Sequence, residues 1–184
     1  MVITNMITTP LVTRSGHRRL SAGFTLIELL TVVAVLGITS TLAVAGFQQL
    51  VKDQRVRNQS FELFSTLSLA RSEAIKRNCI VKVSAVSVTA GWKSGWTITP
   101  GSLCASTSTV KTATVSGITV SGVSASTSIY YGKSGRLVSS ETSEAPLGSA
   151  PSFQISDTTS SSAYTRCVKI DLSGMPQSAK GSCA

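Results

Sequence analysis

Glu28 stands where a carboxylate is costly. It lies inside Phe24-Thr25-Leu26-Ile27-Glu28-Leu29-Leu30, and no charged residue follows until position 52. In hydrocarbon such a group costs a few kcal/mol unless a cation answers it, so an acid there marks a functional site by default. The chemistry it points to is charge pairing. The one histidine, His17, precedes this stretch, and no group suited to proton transfer at neutral pH follows it.

The four cysteines are the second set of reactive side chains: Cys79, Cys104, Cys167 and Cys183. An even count behind an export-like N-terminus predicts two disulfides in an oxidising compartment. Four cysteines allow three pairings. The two local ones, Cys79–Cys104 and Cys167–Cys183, are preferred. None forms a C-x-x-C pair, so a zinc site is not expected.

Catalysis is not expected either. Acids are few, and Asp157 and Asp171 have no spaced partners for calcium. Gly132-Lys133-Ser134-Gly135 lacks the lead and the strand–helix context of a phosphate loop. No cofactor or metal is expected, and the chain does not read as an enzyme.

The elements that position these groups follow from patterning. The run 29–51 is long enough to cross a bilayer as a helix. Before it stand Arg14, Arg18 and Arg19 with no acid, which places that end in the cytoplasm. The remainder then lies outside, where disulfides persist. Three plainer readings compete: a generic single-span anchor, a buried helix of a soluble protein, and a secretory signal. Ala43-Val44-Ala45 has the A-x-A form of a signal-peptidase site. None of the three accounts for Glu28.

Helical periodicity continues beyond the run. Phe61, Phe64, Leu67, Ala70 (or Arg71) and Ala74 predict an amphipathic helix from about Gln48 to Arg77. The opposite face carries Lys52, Asp53, Arg55, Arg57, Arg71, Lys76 and Arg77. No proline interrupts 24–77, although Gly37 and Gly46 weaken it. A single helix of that span would reach roughly 80 Å.

From Cys79 the period changes to two. Strands are predicted at 80–88, 92–98, Ile118–Val123, Ser128–Tyr131, Arg136–Val138, Ser152–Ile155 and Cys167–Leu172. Gly132–Gly135 and Ser173-Gly174 read as turns. The Ser/Thr-rich stretches 101–117 and 139–165, apart from that strand, read as loops. Trp92 and Trp96 are expected in the core. One helix followed by many strands predicts an α+β fold. The four segments are 1–23, 24–51, 52–78 and 79–184.

Gly23-Phe24-Thr25-Leu26-Ile27-Glu28, behind a basic leader and ahead of the apolar run, resembles the processing signature of type IV pilins and type II secretion pseudopilins. The resemblance implies a pilin fold, with a long N-terminal helix packed on an antiparallel sheet domain. It implies that a prepilin peptidase cuts between Gly23 and Phe24 and methylates the new amine. Glu28 becomes the fifth mature residue and pairs with that amine, usually across subunits. Two buried opposite charges stabilise each other where either alone is costly. Where many pilins carry proline this chain has Ala45, so the forced helix break is absent.

The later half resembles the GspH/FimT/FimU group. The likeness rests on Leu67–Asn78, the Gly91-Trp92…Gly95-Trp96-Thr97-Ile98 block, the Tyr131–Arg136 turn, and Arg166–Ile170 with Ser173-Gly174. It implies a minor pilin or pseudopilin that primes or caps a filament, with other pilins and the inner membrane as partners. Domain and anchor would lie in the periplasm and inner membrane, then in the filament. The cysteines and Ser/Thr-rich loops favour the pilus over the secretion system. Some members of the group bind DNA through Gly-Arg-x-Arg after the last strand. Here that place reads Gly174-Met175-Pro176-Gln177. Lys133, Arg136, Arg166, Lys169 and Lys180 remain as DNA-binding candidates, since phosphate contacts need only clustered cations. The net charge of +9, or +6 without the first 23 residues, suits an anionic partner of either kind.

Overall fold

A computed structural model describes residues 23–122, 126–157 and 164–183, apart from the side chains of 41–45. The basic leader, with Arg14, His17, Arg18 and Arg19, lies outside the described residues, as does Val123 of the predicted fourth-strand region. Among the described residues one helix, α1 (Leu26–Arg77), is followed by nine strands. They are β1 (Val81–Ser87), β2 (Gly91–Pro100), β3 (Lys111–Ala113), β4 (Ile118–Gly122), β5 (Ser128–Tyr131), β6 (Leu137–Val138), β7 (Ser152–Asp157), β8 (Thr165–Ile170) and β9 (Pro176–Lys180). The residues group into two units, one up to Ala43 and one from Val44 onward.

The helix ends where its sequence tells it to. Asn78 takes a left-handed conformation, φ 50°, which Asn tolerates better than most residues. The Cys79 amide donates to the Ala74 carbonyl and the Asn78 amide to the Ile75 carbonyl, 3.3 Å each. This is a Schellman cap, and it satisfies carbonyls the last turn would leave bare. It also turns the chain into β1 and puts Cys79 beside Cys104, to which it is bonded. Cys167 is bonded to Cys183. Both local pairings are as expected.

The strands form two antiparallel sheets rather than one. The first has order β3-β2-β1-β5-β6 and the second β4-β7-β8-β9, with β2 packed on β4 between them. Alternation sets the faces: in β1, Val81, Val83 and Ala85 point inward. Trp92, Trp96 and Ile98 of β2 join them, as do Phe153, Ile155, Val168 and Ile170 from the second sheet. Both tryptophans are thus in the core. The Trp92 ring meets Phe153 edge-on at 4.8 Å.

Two strands were not legible. β3 is three residues long inside a Ser/Thr-rich stretch. β9 is Pro-Gln-Ser-Ala-Lys, almost wholly exposed, with no apolar alternation to signal it. Both are edge strands, where burial imposes little pattern and a leading proline is tolerated.

The helix stripe also differs from the expected one. The residues facing the sheets are Val56, Ser60, Leu63, Leu67, Ala70 and Ala74, at alternating steps of four and three. Leu67, Ala70 and Ala74 are as predicted. Phe61 is not: it is 69% exposed, and Phe64 is half-buried beside it. Ser60 satisfies its hydroxyl by a 2.7 Å bond to the hydroxyl of Ser178 in β9.

Candidate assembly site

The site begins at the helix start. Thr25 is the N-cap and Glu28 stands three residues on, a capping-box spacing. The Glu28 amide donates to Thr25 Oγ1 at 3.3 Å. In return Glu28 Oε2 accepts from the Thr25 amide and from the Thr25 hydroxyl, 3.1 Å each. The carboxylate is therefore held back against the first turn, one residue from the Phe24 amide. A positive charge created at Phe24 nitrogen would arise beside a carboxylate already fixed in place, at a helix N-terminus whose dipole favours that carboxylate and opposes the cation. Gly23 has open space around it.

The surroundings fit a helix meant for apolar company. Leu26, Ile27, Leu29, Leu30, Val32, Val33, Val35, Leu36 and Ile38 are all more than half exposed. Leu26, Leu29, Leu30, Val33 and Ala34 line an apolar cleft on one side, and at about 100° per residue Glu28 lies on the other. The hydroxyls in the stretch do not need outside partners. Thr31 donates to the Glu28 carbonyl at 2.9 Å, Thr39 to the Val35 carbonyl at 3.0 Å, and Ser40 to the Leu36 carbonyl at 2.6 Å. Hydroxyls bonded to their own helix suit a medium without water. Among the described residues no helix is long and apolar enough to cross a membrane. The run 29–51 expected to do so includes 41–45, whose side chains are not described.

The five cations marked for DNA do not gather. Lys133 and Arg136 lie on the β5–β6 turn, where the Lys133 amide donates to Glu144 at 3.4 Å. That turn abuts the β8–β9 turn: Gly174, at φ +85°, sits so close to the Gly135 carbonyl that no Cβ would fit. Arg71 ties the two turns, donating to the Gly135 carbonyl at 3.1 Å and reaching Met175 Sδ. In that second turn Asp171 accepts from the Ser173 hydroxyl (2.5 Å) and the Met175 amide (3.0 Å). Those bonds, the Ser173 one foremost, hold its carboxyl below the usual aspartate range. Arg166 and Lys180 lie elsewhere, directly opposite each other on β8 and β9. They face α1: Arg166 shares a cleft of about 300 Å³ with Arg57, Phe61 and Phe64. Lys180 shares another with Leu50, Asp53 and Tyr164. Lys169 is one residue out of phase with Arg166 and Ile170, so it points to the other side of the sheet. Sequence reading missed Arg57, Phe61 and Phe64 as neighbours of Arg166. Long-range packing of the second sheet on α1 brings them together, and no local pattern signals it.

A capped N-terminal helix with a lone acid, Glu28, in its apolar first half, and its upper half packed on antiparallel sheets, defines the pilin-like class of filament subunit. The comparisons agree. Residues 18–44 match the prokaryotic N-terminal methylation motif, and residues 60–174 match the family described as type II transport protein GspH. The chain belongs to the GspH family. Its fold is that of the type IV minor pilin FimU of Pseudomonas aeruginosa, in two crystal forms. One superimposes with a TM-score of 0.54 at 21% identity, over 67% of this chain and 91% of that one. The other gives 0.55 at 19%, over 67% and 87%. No curated protein matches the sequence. Proteins of this type are structural subunits, not enzymes, and membership implies assembly with other pilin-like subunits.

Proposed function

We propose that the chain is a minor pilin of a type IV pilus, anchored in the inner membrane with its β-rich unit in the periplasm. A prepilin peptidase removes residues 1–23 and methylates the amine of Phe24. Helix packing, registered by the pairing of that amine with Glu28, then places the subunit in the filament, where it primes or caps growth. The observation that carries this reading is the Thr25–Glu28 capping box, heading a helix whose apolar side chains are exposed from Leu26 to Ile38. The test is the intact mass of the mature protein: loss of 23 residues plus one methyl supports it. A mature chain beginning at Gly46 would mean signal-peptidase release and would end the filament reading.

A second reading, a type II secretion pseudopilus subunit, is favoured by the family match itself, whose description is a type II transport protein. Deleting the gene separates the two: lost pilus assembly supports the first, and lost secretion with intact pili the second. The DNA-uptake reading has less support, because its five cations fall in three places.

A further inference from the structure

Strand β9 ends the second sheet, and among the described residues no strand pairs with its outer edge. It runs beside α1, and three clefts follow one another along the seam. The first holds Leu50 and Lys180 with Asp53, the second Phe61 and Phe64 with Arg57 and Arg166, and the third Ile75 and Met175 with Arg71. They measure about 290, 300 and 200 Å³. The lining is mixed, and apolar side chains recur along it between polar ones: Leu50, Phe61, Ile75 and Met175 are each at least half exposed, and the rings of Phe61 and Phe64 stack with centroids 6.5 Å apart. A groove with exposed apolar side chains and cations beside an open strand edge is a polypeptide-docking geometry.

Charge names the occupant. Arg57 is paired with Asp53 at 3.0 Å. Arg166 and Lys180 face each other across the β8–β9 ladder, and among the described residues neither has an ion-pair partner. Like charges in that register repel, so an anion is wanted between them. This chain does not offer one freely, because each of its eight carboxylates is engaged. Asp53, Glu62, Glu73 and Asp157 are in salt bridges. Glu28, Glu141, Glu144 and Asp171 accept hydrogen bonds from their own chain. A second copy is therefore a poor fit. Nucleic acid fits less well too: a phosphate at every nucleotide wants a track of cations, and of the groove's cations among the described residues Arg57 is already paired with Asp53.

We infer that the groove between α1 and β9 seats an apolar segment of a different pilin-like subunit, whose carboxylate inserts between Arg166 and Lys180. The inference rests on the filament reading above and adds the lateral contact that the helix N-terminus does not specify. The test uses the full chain in its own bacterium, with a photo-crosslinking phenylalanine analogue at Phe61 and a control at the exposed Val88. The expected result is a Phe61 adduct to another chain bearing the N-terminal methylation motif, and none from Val88. Arg166→Glu with Lys180→Glu should lower the adduct at least ten-fold, with both disulfides still formed. Arg166→Gln with Lys180→Gln should give a smaller loss. Changing the acid mapped in the partner to lysine should restore the adduct of the doubly reversed chain. A nuclease-sensitive adduct, an adduct to a second copy, or one indifferent to charge reversal overturns the inference. So does a chain that enters filaments without any Phe61 adduct. A chain absent from filaments altogether would instead overturn the function proposed above.

Discussion

Within α1 similar side chains meet opposite fates. Leu29 and Leu30 are 64% and 58% exposed, while Leu63 and Leu67 are fully covered by the sheets. Composition does not separate them; what differs is where each finds apolar company. The upper helix is a core element of the unit that begins at Val44, and its leucines contribute to that unit's stability. Among the described residues the first turns have no such cover, and their leucines contribute only where something else supplies it. One helix thus holds a folding surface and, on the function proposed above, an assembly surface in series, with Glu28 marking the second.

The comparison breaks most easily at the leucines. Leu67→Ala should cost about 2–5 kcal/mol of domain stability in denaturant titration of the detergent-solubilised chain. Leu30→Ala should change it by less than about 0.5 kcal/mol. Equal losses would mean that the two halves share one core. Next come the disulfides. Replacing Cys79 and Cys104 by serine should cost about 3 kcal/mol, because the bond closes a loop of 25 residues at the end of α1. It should leave the capping box at Thr25 untouched.

Smaller effects sharpen the picture inside the covered region. Tyr131 is fully buried, its hydroxyl has no hydrogen-bond partner among the described residues, and burial pushes its pKa well above the usual phenol value. Tyr131→Phe should therefore be neutral or stabilising by up to about 1 kcal/mol in thermal unfolding. The smallest is pH-linked. Asp171 has a lowered folded-state pKa, so its contribution is present above the ordinary aspartate pKa and lost as pH falls through the folded value. Asp171→Asn should flatten that acid limb slightly, read as melting temperature between about pH 5 and pH 2.

Much of this was legible in the residues. Glu28, the uncharged run and the switch from period 3.6 to period 2 each follow from a local pattern, and so did the helix, most strands and the two local disulfides. Phe61 misled because its spacing matches the stripe while its angle falls outside it; only the sheets reveal which residues they cover. β9 was hidden for a related reason. An exposed edge strand needs no alternation, and its position beside α1 is set by the β8–β9 turn rather than by its own residues. The groove and its cations follow from that placement. So the surface with the least sequence signal is the one that long-range topology builds.

The account turns on Glu28. Its most direct test is the amount of Glu28→Gln chain recovered in sheared filaments, at equal cellular level and with the leader confirmed as removed. Charge pairing predicts a loss of at least ten-fold, about 1.4 kcal/mol or more, with the melting temperature of the β-rich unit unchanged. Recovery equal to the unsubstituted chain would contradict it.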